Sequence, residues 1–509
     1  MLERLAGGLH SRRLLAGLAA LGLLAYGAFL VRHASYSVGA ADSSGYLNHA
    51  RALASGEIAR PIRALAALEL PDVPLTAVLP LGFVGGRQEG TMVPSYPPGY
   101  PLHMAAFAAL LGWGTGPFLV SPAFALLGLL AFYALARELG LGPTESAAGS
   151  VILALNPVYV FMGLQPMSDA AATTWATLAV LLSLRARRTP AWALGAGAAF
   201  AVACVVRPTS ALLLVPIALA LPWSLGAALR FALGALPGFA FLLSFNLAAY
   251  GHPLRTGYGS VGHEFSLAFF PARWRHYTHW LGVTFTPIVP LAWLGVVFSR
   301  ETRRRDRLML FAWFASFLVF FCSYRHHDAW WYLRFLMPAF PALVAGALLA
   351  ARPLWRALEL RVHLPGRGWR SASVLPALVL AVVAWREVSV AGRMGALDVA
   401  EIDSVYPRSC RLAAERLPPG AMVLSKLTSG ALEAYTSFAQ LRFDTMDDRT
   451  ARRLLRRSLR RGRPWYALVH EAEKAEFEGR GLGRWRRLGS AGMVELLELD
   501  PESLLGPLR

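Results

Sequence analysis

Lysine is almost missing from this chain. Of 509 residues only Lys426 and Lys474 are lysine, so nearly all of the 50 basic side chains are arginine, set against 31 acids. Charge of either sign is scarce, at 16% of residues, whereas 55% are hydrophobic and the mean hydropathy is +0.44. So little charge excludes a water-soluble core of ordinary composition, and the chain reads as a polytopic α-helical membrane protein. The net charge of +19 does not imply a nucleic-acid partner, because the arginines are scattered between apolar runs, a pattern of membrane topology. Cysteine is nearly absent too. Cys204 and Cys322 lie in apolar segments and Cys410 stands alone, which excludes a disulfide framework or a cysteine metal cluster. The wealth of Arg, Ala, Leu and Gly suggests a GC-rich bacterial genome.

What is abundant is apolar run length. Segments able to cross about 30 Å of hydrocarbon at 1.5 Å per residue are read at 14–31, 117–136, 146–162, 169–184, 190–206, 210–222, 231–249, 282–298, 308–323, 335–351 and 373–390, about eleven spans. With a cytoplasmic N-terminus, the inner segments carry Arg4, Arg12 and Arg13; Arg137; Arg185, Arg187 and Arg188; Arg230; Arg300 and Arg303–Arg307; and Arg352, Arg356, Arg361, Arg367 and Arg370. Each agrees with the positive-inside rule. This registration makes 98–112 a helix on the outer surface, since a span there would turn Arg185–Arg188 outward. Within 189–222, Arg207-Pro208 predicts a tight hairpin, because proline breaks the helix and the charge belongs at the outer face. Ser11-Arg12-Arg13 faintly resembles a twin-arginine signal and Ala40-Ala41 a cleavage site, but an uncleaved first span is the expectation.

Five polar segments then fall on the outer side: the loop 32–116, the turn 163–169, the hairpin at Arg207, the stretch 251–281, and Tyr324–Arg334. They gather carboxylates, imidazoles, guanidiniums and aromatics at one membrane face. A site for a lipid-borne anionic substrate needs those groups: arginine for a phosphate, a carboxylate for proton removal, an aromatic for a sugar face.

The segment Asp42-Ser43-Ser44-Gly45-Tyr46, followed by Ala52–Glu57 and by Tyr96-Pro97-Pro98-Gly99-Tyr100-Pro101, resembles the first outer loop of the GT-C polyprenyl-phosphate-sugar glycosyltransferases. These include the protein O-mannosyltransferases and the enzymes that add aminoarabinose to lipid A. Further matches are Met167-Ser168-Asp169, Arg207-Pro208 with an apolar run ending in Pro216, and Leu333–Pro338, so the resemblance covers roughly residues 10–350 and rests on motif order. It implies that Asp42 stands beside the acceptor hydroxyl as general base, with a polyprenyl-phosphate sugar as donor. No nucleotide sugar is then required, consistent with the lack of a Gly-rich phosphate loop.

Two departures matter. Many relatives follow the aspartate with a second acid, where this chain has Ser43, so a metal built on paired carboxylates is not expected and no cofactor is predicted. Aminoarabinose transferases carry arginine where Gly45 stands and lysine where Tyr96 stands, both near the donor phosphate, which puts specificity for that sugar in doubt. Arg207 and Arg334 are then the candidate phosphate contacts, with Arg325 and His326 in reserve. Asp169 is a candidate second acid on the acceptor side. Tyr46, Tyr96, Tyr100, Trp331 and Tyr332 are candidate sugar- or lipid-facing groups.

Each residue also has a structural reading. Asp42 and Asp169 are good N-caps for helices starting at Ser43 and Ala170. Arg207 and Arg334 are possible interfacial anchors, Trp330–Tyr332 an aromatic belt. His326-His327-Asp328 is not read as a metal site, since adjacent histidines face different ways.

Beyond the transmembrane module, taken as 1–390, composition shifts. Residues 391–509 read as a small extracytoplasmic α/β domain: helix 404–417, strand Ala421–Ser425, a helix near 430–438, Gln440–Phe443, an arginine helix 448–461, Trp465–His470 and a strand pair near 485–499. The basic run Arg449–Arg463 reads as a solvated helix face. The expectation is a multi-pass glycosyltransferase of the bacterial cytoplasmic membrane, acting at its outer face on a glycan, lipid or protein acceptor. The alternative is a transporter or flippase for lipid-linked glycans, against which stand the lack of an internal repeat and charges confined to one face.

Overall fold

The computed structural model describes residues 2–67, 73–260, 262–285, 287–299, 301–361 and 374–505; Arg300, Arg367 and Arg370 of the expected inner segments lie outside them. The chain divides into two compact units, one of Met1–Ala34, Leu119–Phe239 and Val261–Asp398, the other of Ser35–Phe118, Ala240–Ser260 and Val399–Arg509.

The first unit is helical. Among the described residues three helices are long and apolar enough to cross a membrane, Gly116–Glu138, Leu225–Tyr250 and Trp330–Arg352, or up to five if each of two bent pairs is one span. The apolar run read as a span at 146–162 is one such pair, Pro143–Leu155 and Pro157–Leu164, bent by 64°. Asn156 causes the break: its side chain accepts from the N–H groups of Val158 (3.1 Å) and Tyr159 (3.2 Å), capping the second helix, and Pro157 fills the first helical position. The helix break expected at Arg207-Pro208 is present: the helix Trp192–Val206 is followed by a 3₁₀ turn Pro208–Leu213 and a short helix Leu214–Ala220. Small residues bring the helix backbones together, for a Cβ on Gly197 would lie 1.9 Å from the Phe231 carbonyl oxygen.

The second unit is built on two sheets. Strands β1 (Arg60–Pro61), β2 (Phe83–Gly85) and β3 (Thr91–Pro94) form an antiparallel sheet in the order β1-β3-β2. Strands β4 (Met422–Ser425), β5 (Ala439–Arg442), β6 (Trp465–His470), β7 (Trp485–Ala491) and β8 (Val494–Leu499) form a second in the order β5-β4-β6-β8-β7. Strand β4 pairs in parallel with both β5 and β6, whereas β8 runs antiparallel to β6 and β7. Strand β4, apolar but for Ser425, is buried along its whole length, as a central parallel strand requires. At the edge, β7 shows Arg486 and Arg487 to solvent, which discourages further strand pairing. Helices Val399–Arg416, Ser429–Tyr435, Asp448–Arg460 and Glu471–Gly479 accompany the strands. The last of these lacks a sequence expectation; it opens with a box in which the His470 ring accepts from the Ala472 N–H and Glu473 accepts from the His470 N–H (2.9 Å).

Within this unit the loop 35–118 and the C-terminal sheet share one core. Ile62, Val78, Phe83 and Met92 pack with Leu424, Leu441, Phe443 and Trp465. Polar contacts join the same segments. Asn48 Nδ2 donates to the Gly430 carbonyl (3.1 Å), the Leu81 N–H donates to Ser429 Oγ (3.1 Å), and Arg63 pairs with buried Glu433 (3.1 Å). Gly430 admits no side chain, because its Cβ would lie 2.1 Å from Ser44 Oγ.

Candidate active site

Asp42 belongs to the second unit. The chain reaches it through Ala40, which holds a left-handed φ of +48°, an uncommon conformation for a residue with a Cβ. The Ser43 hydroxyl folds the loop back on itself, donating to the Gly39 carbonyl (2.8 Å) and accepting from the Gly39 N–H (3.0 Å). Ser44 Oγ donates to the Ala40 carbonyl (2.5 Å). Where relatives carry a second acid, this chain uses Ser43 to close a turn.

The helix Asp42–Ala54 then starts at Asp42 itself, with Ala41 in the cap position. Asp42 is therefore the first helical residue rather than the cap, and its carboxylate is directed elsewhere: Tyr96 Oη donates to Oδ1 at 2.6 Å. Burial first, and the adjacent Asp42 charge second, push the Tyr96 phenol well above its ordinary value, so it remains a neutral donor. Three further tyrosines surround it. Tyr46 lies 4.9 Å from the Tyr96 ring and 5.0 Å from that of Tyr100, and Tyr258 meets Tyr96 edge-on at 6.1 Å. Tyr46, Tyr96 and Tyr100, expected singly as sugar- or lipid-facing groups, thus form one cluster beside the carboxylate. Gly45 is its floor: a Cβ there would stand 2.6 Å from Tyr96 Cε2 and 3.0 Å from Gly82 Cα. Arginine at 45 and the present Tyr96 are sterically incompatible.

Asp169 belongs to the first unit, and it too is first in its helix, Asp169–Arg185, with Ser168 at the cap. It is fully buried, and its Oδ1 accepts from the Arg207 guanidinium. Its Oδ2 is buried without a hydrogen-bond partner among the described residues. The guanidinium offsets part of the cost of burying this carboxylate, and removing either partner would leave the other buried and uncompensated. The Arg207 group also lies 5.4 Å from the centre of the Phe335 ring, and that of Arg334 lies 5.3 Å from the same ring. Two guanidiniums therefore share one aromatic platform, and Asp169 pairs with the first.

The ring has further neighbours. Tyr332 lies 5.7 Å and His326 6.2 Å from Phe335, and His326 stacks on Tyr332 at 4.8 Å. The His326 Nδ1 is 2.7 Å from the His327 carbonyl oxygen and so is assigned the proton. Burial lowers its pKa to about 4, so at neutral pH this imidazole brings hydrogen-bonding capacity and no charge. His276 lies 4.6 Å from His326 ring to ring, with its Nδ1 2.6 Å from Asp328 Oδ1. Asp169, Arg207, Arg334, His326 and Tyr332, drawn from three segments of sequence, are thus grouped around Phe335. Arg325 is not in this group, its side chain being exposed while its N–H donates to the Glu264 carbonyl (2.8 Å); Trp331 is exposed at its margin, 6.4 Å from the Tyr332 ring and 5.9 Å from that of Trp330. Sequence reasoning missed Phe335 and His276. The first stands inside the Leu333–Pro338 motif and was legible as part of it; the second offers no local signal. Among the described residues no three His, Cys, Asp or Glu side chains come together in a metal-holding group.

The family description of dolichyl-phosphate-mannose-protein mannosyltransferases matches residues 95–249, a stretch that includes Tyr96, Asp169 and Arg207. No curated protein sequence matches the chain. Among solved structures, ArnT from Cupriavidus metallidurans in the apo state is 15% identical, with a TM-score of 0.59 over 98% of this chain and 100% of that one. ArnT bound to undecaprenyl phosphate aligns with a TM-score of 0.57 at 15% identity, over 97% of this chain and 99% of that one. The Archaeoglobus fulgidus oligosaccharyltransferase tethered with an acceptor peptide is 11% identical, with a TM-score of 0.52 over 96% of this chain and 77% of that one. The chain has the GT-C fold, as the order of its motifs predicts.

Proposed function

We propose that this chain is a membrane glycosyltransferase that moves a sugar from a polyprenyl-phosphate donor to an acceptor hydroxyl at the outer face of the bacterial cytoplasmic membrane. The observation that carries the reading is the environment of Asp42: a helix-initial carboxylate held by a neutral tyrosine hydroxyl, in a ring of tyrosines. In the reaction the acceptor oxygen bonds to the anomeric carbon, its proton passes to Asp42, and the carbon–oxygen bond to the lipid phosphate breaks. The polyprenyl phosphate departs with the bonding pair. Tyr96 orients the base; the tyrosine faces suit a sugar ring.

Arg207 and Arg334 take the role of donor-phosphate contacts. Paired guanidiniums fit phosphate oxygens through bidentate hydrogen bonds, and Phe335 offers both one shared platform. His326 adds a neutral contact. Asp169 holds Arg207 in place, a role more consistent with its burial than contact with the acceptor. The ArnT structure with undecaprenyl phosphate supports a lipid-phosphate donor for a chain of this fold.

The test is transfer of radiolabelled sugar in proteoliposomes supplied with a panel of polyprenyl-phosphate sugars. Asp42→Asn should lower turnover by about 10²–10⁴-fold with donor binding kept, the range typical of a lost general base. Undiminished turnover in a folded Asp42→Asn protein refutes the base assignment. Arg334→Gln should raise the donor KM about tenfold, equivalent to about 1.4 kcal/mol, and leave kcat within about threefold.

A further inference from the structure

The arginine helix Asp448–Arg460 has no part in the chemistry above. One face is committed to the fold: Ala451, Leu454, Leu455 and Ser458 are buried, and the first three pack in the core that contains Trp465 and Phe477. Its start is capped by Asp447, whose Oδ1 accepts from the N–H groups of Arg449 (3.0 Å) and Thr450 (2.9 Å).

The opposite face carries Arg449, Arg452, Arg453, Arg456, Arg457 and Arg460, a progression of i, i+3, i+4, i+7, i+8 and i+11. At 1.5 Å per residue this forms a row of guanidiniums about 16 Å long. Neighbours at three and four residues along a helix face one another, so each guanidinium lies beside another of like charge, an arrangement that opposes the helix. Among the described residues no carboxylate relieves it. Asp448 is taken by Arg480 (2.8 Å), and Arg452 and Arg456 reach only the carbonyls of Gly481 (3.2 Å) and Leu504 (3.0 Å). Among the described residues no carboxylate pairs with Arg449, Arg453, Arg457 or Arg460. All four are exposed.

The missing counter-charge has a recognisable chemistry. Planar guanidiniums in a row suit phosphate oxygens. No aromatic side chain occurs between Asp448 and Pro464, and Trp465 is wholly buried, so the face offers no platform on which a sugar ring or a nucleobase would stack. A single phosphate engages one or two arginines; a row of six matches a surface that presents many.

We infer that the Arg449–Arg460 face is a docking surface for the phosphate headgroups of an anionic phospholipid bilayer. Charge complementarity and the membrane anchoring of the chain favour that occupant. The inference stands independently of the glycosyl-transfer reading.

The test uses the full chain in nanodiscs, with amide hydrogen exchange over 447–463 as the readout. Phosphatidylcholine discs are compared with discs containing about 30 mol % phosphatidylglycerol, a content that gives the surface a substantial negative potential. Exchange should slow about threefold or more in the anionic discs, and the protection should vanish in about 1 M salt, where the Debye length is about 3 Å. R449Q/R453Q/R457Q/R460Q should lose the protection while strands β4 and β6 exchange as in the parent, which establishes that the sheet is folded. Equal exchange in both discs, or equal protection of the fourfold variant, overturns the inference. Protection by soluble polyphosphate or by an oligonucleotide in phosphatidylcholine discs, with none from phosphatidylglycerol, overturns it as well and assigns the row to a soluble polyanion.

Discussion

Replacing Tyr96 by phenylalanine removes one oxygen and leaves the ring among Tyr46, Tyr100 and Tyr258. The lost group donates to Asp42 Oδ1 at 2.6 Å. A hydrogen bond to a charged acceptor is worth about 1.5–3 kcal/mol, and neither residue is completely buried, which argues for the lower figure. The bond favours the ionised carboxylate, so its removal makes Asp42 easier to protonate. A general base must be ionised to act. The acid limb of kcat/KM in Tyr96→Phe should therefore move to higher pH, with transfer lost at a pH where the parent still turns over. On the alkaline plateau kcat should also fall, by up to about tenfold, because the carboxylate has lost the contact that orients it. Tyr96 itself titrates too high to contribute a limb of its own. The assay is sugar transfer in proteoliposomes between pH 5 and 9, with the variant's fold checked by thermal unfolding. Superimposable pH profiles for parent and variant refute the positioning role.

Gly45→Ala should reproduce that profile by another route, since its Cβ enters the space of Tyr96 Cε2 at 2.6 Å and displaces the ring from Asp42. In the double variant with Tyr96→Phe the effects should combine to less than their sum, as expected for one shared contact. His49, fully buried against Phe245, has both ring nitrogens unpaired among the described residues, and burial lowers its pKa to about 3 from an ordinary 6.5. The unfolded chain therefore binds the proton first: His49 weakens the fold as pH falls below 6.5 towards 3 and has no effect above 6.5. The unfolding temperature of the parent should drop by roughly 2 °C more than that of His49→Phe between pH 7 and 5, measured by differential scanning fluorimetry, and equal drops would refute the linkage.

Much of the architecture follows from local pattern. The apolar runs announce a membrane chain, and the break at Arg207-Pro208 falls where proline chemistry puts it. Strands β4, β6 and β8 coincide with buried apolar runs that any β-period search finds. Asp42, Asp169, Arg207 and Arg334 were singled out by motif order alone. The break at Asn156 was missed because a cap acts in a single residue, below the resolution of a hydropathy window.

What the residues do to one another was another matter. The tyrosine that holds Asp42 is 54 positions away, Gly430 meets Ser44 from a distant part of the chain, and the Phe335 ring lies near the guanidinium of Arg207, more than a hundred positions away, as well as that of its neighbour Arg334. Composition and periodicity report only what a residue shares with its near neighbours. By itself the sequence determined that this is a membrane chain of GT-C type with an acid at the head of its first loop. Only the tertiary structure decided that Asp42 is held by a tyrosine in a space a glycine leaves open, because a contact between distant segments depends on backbone approach, and no local spacing encodes it.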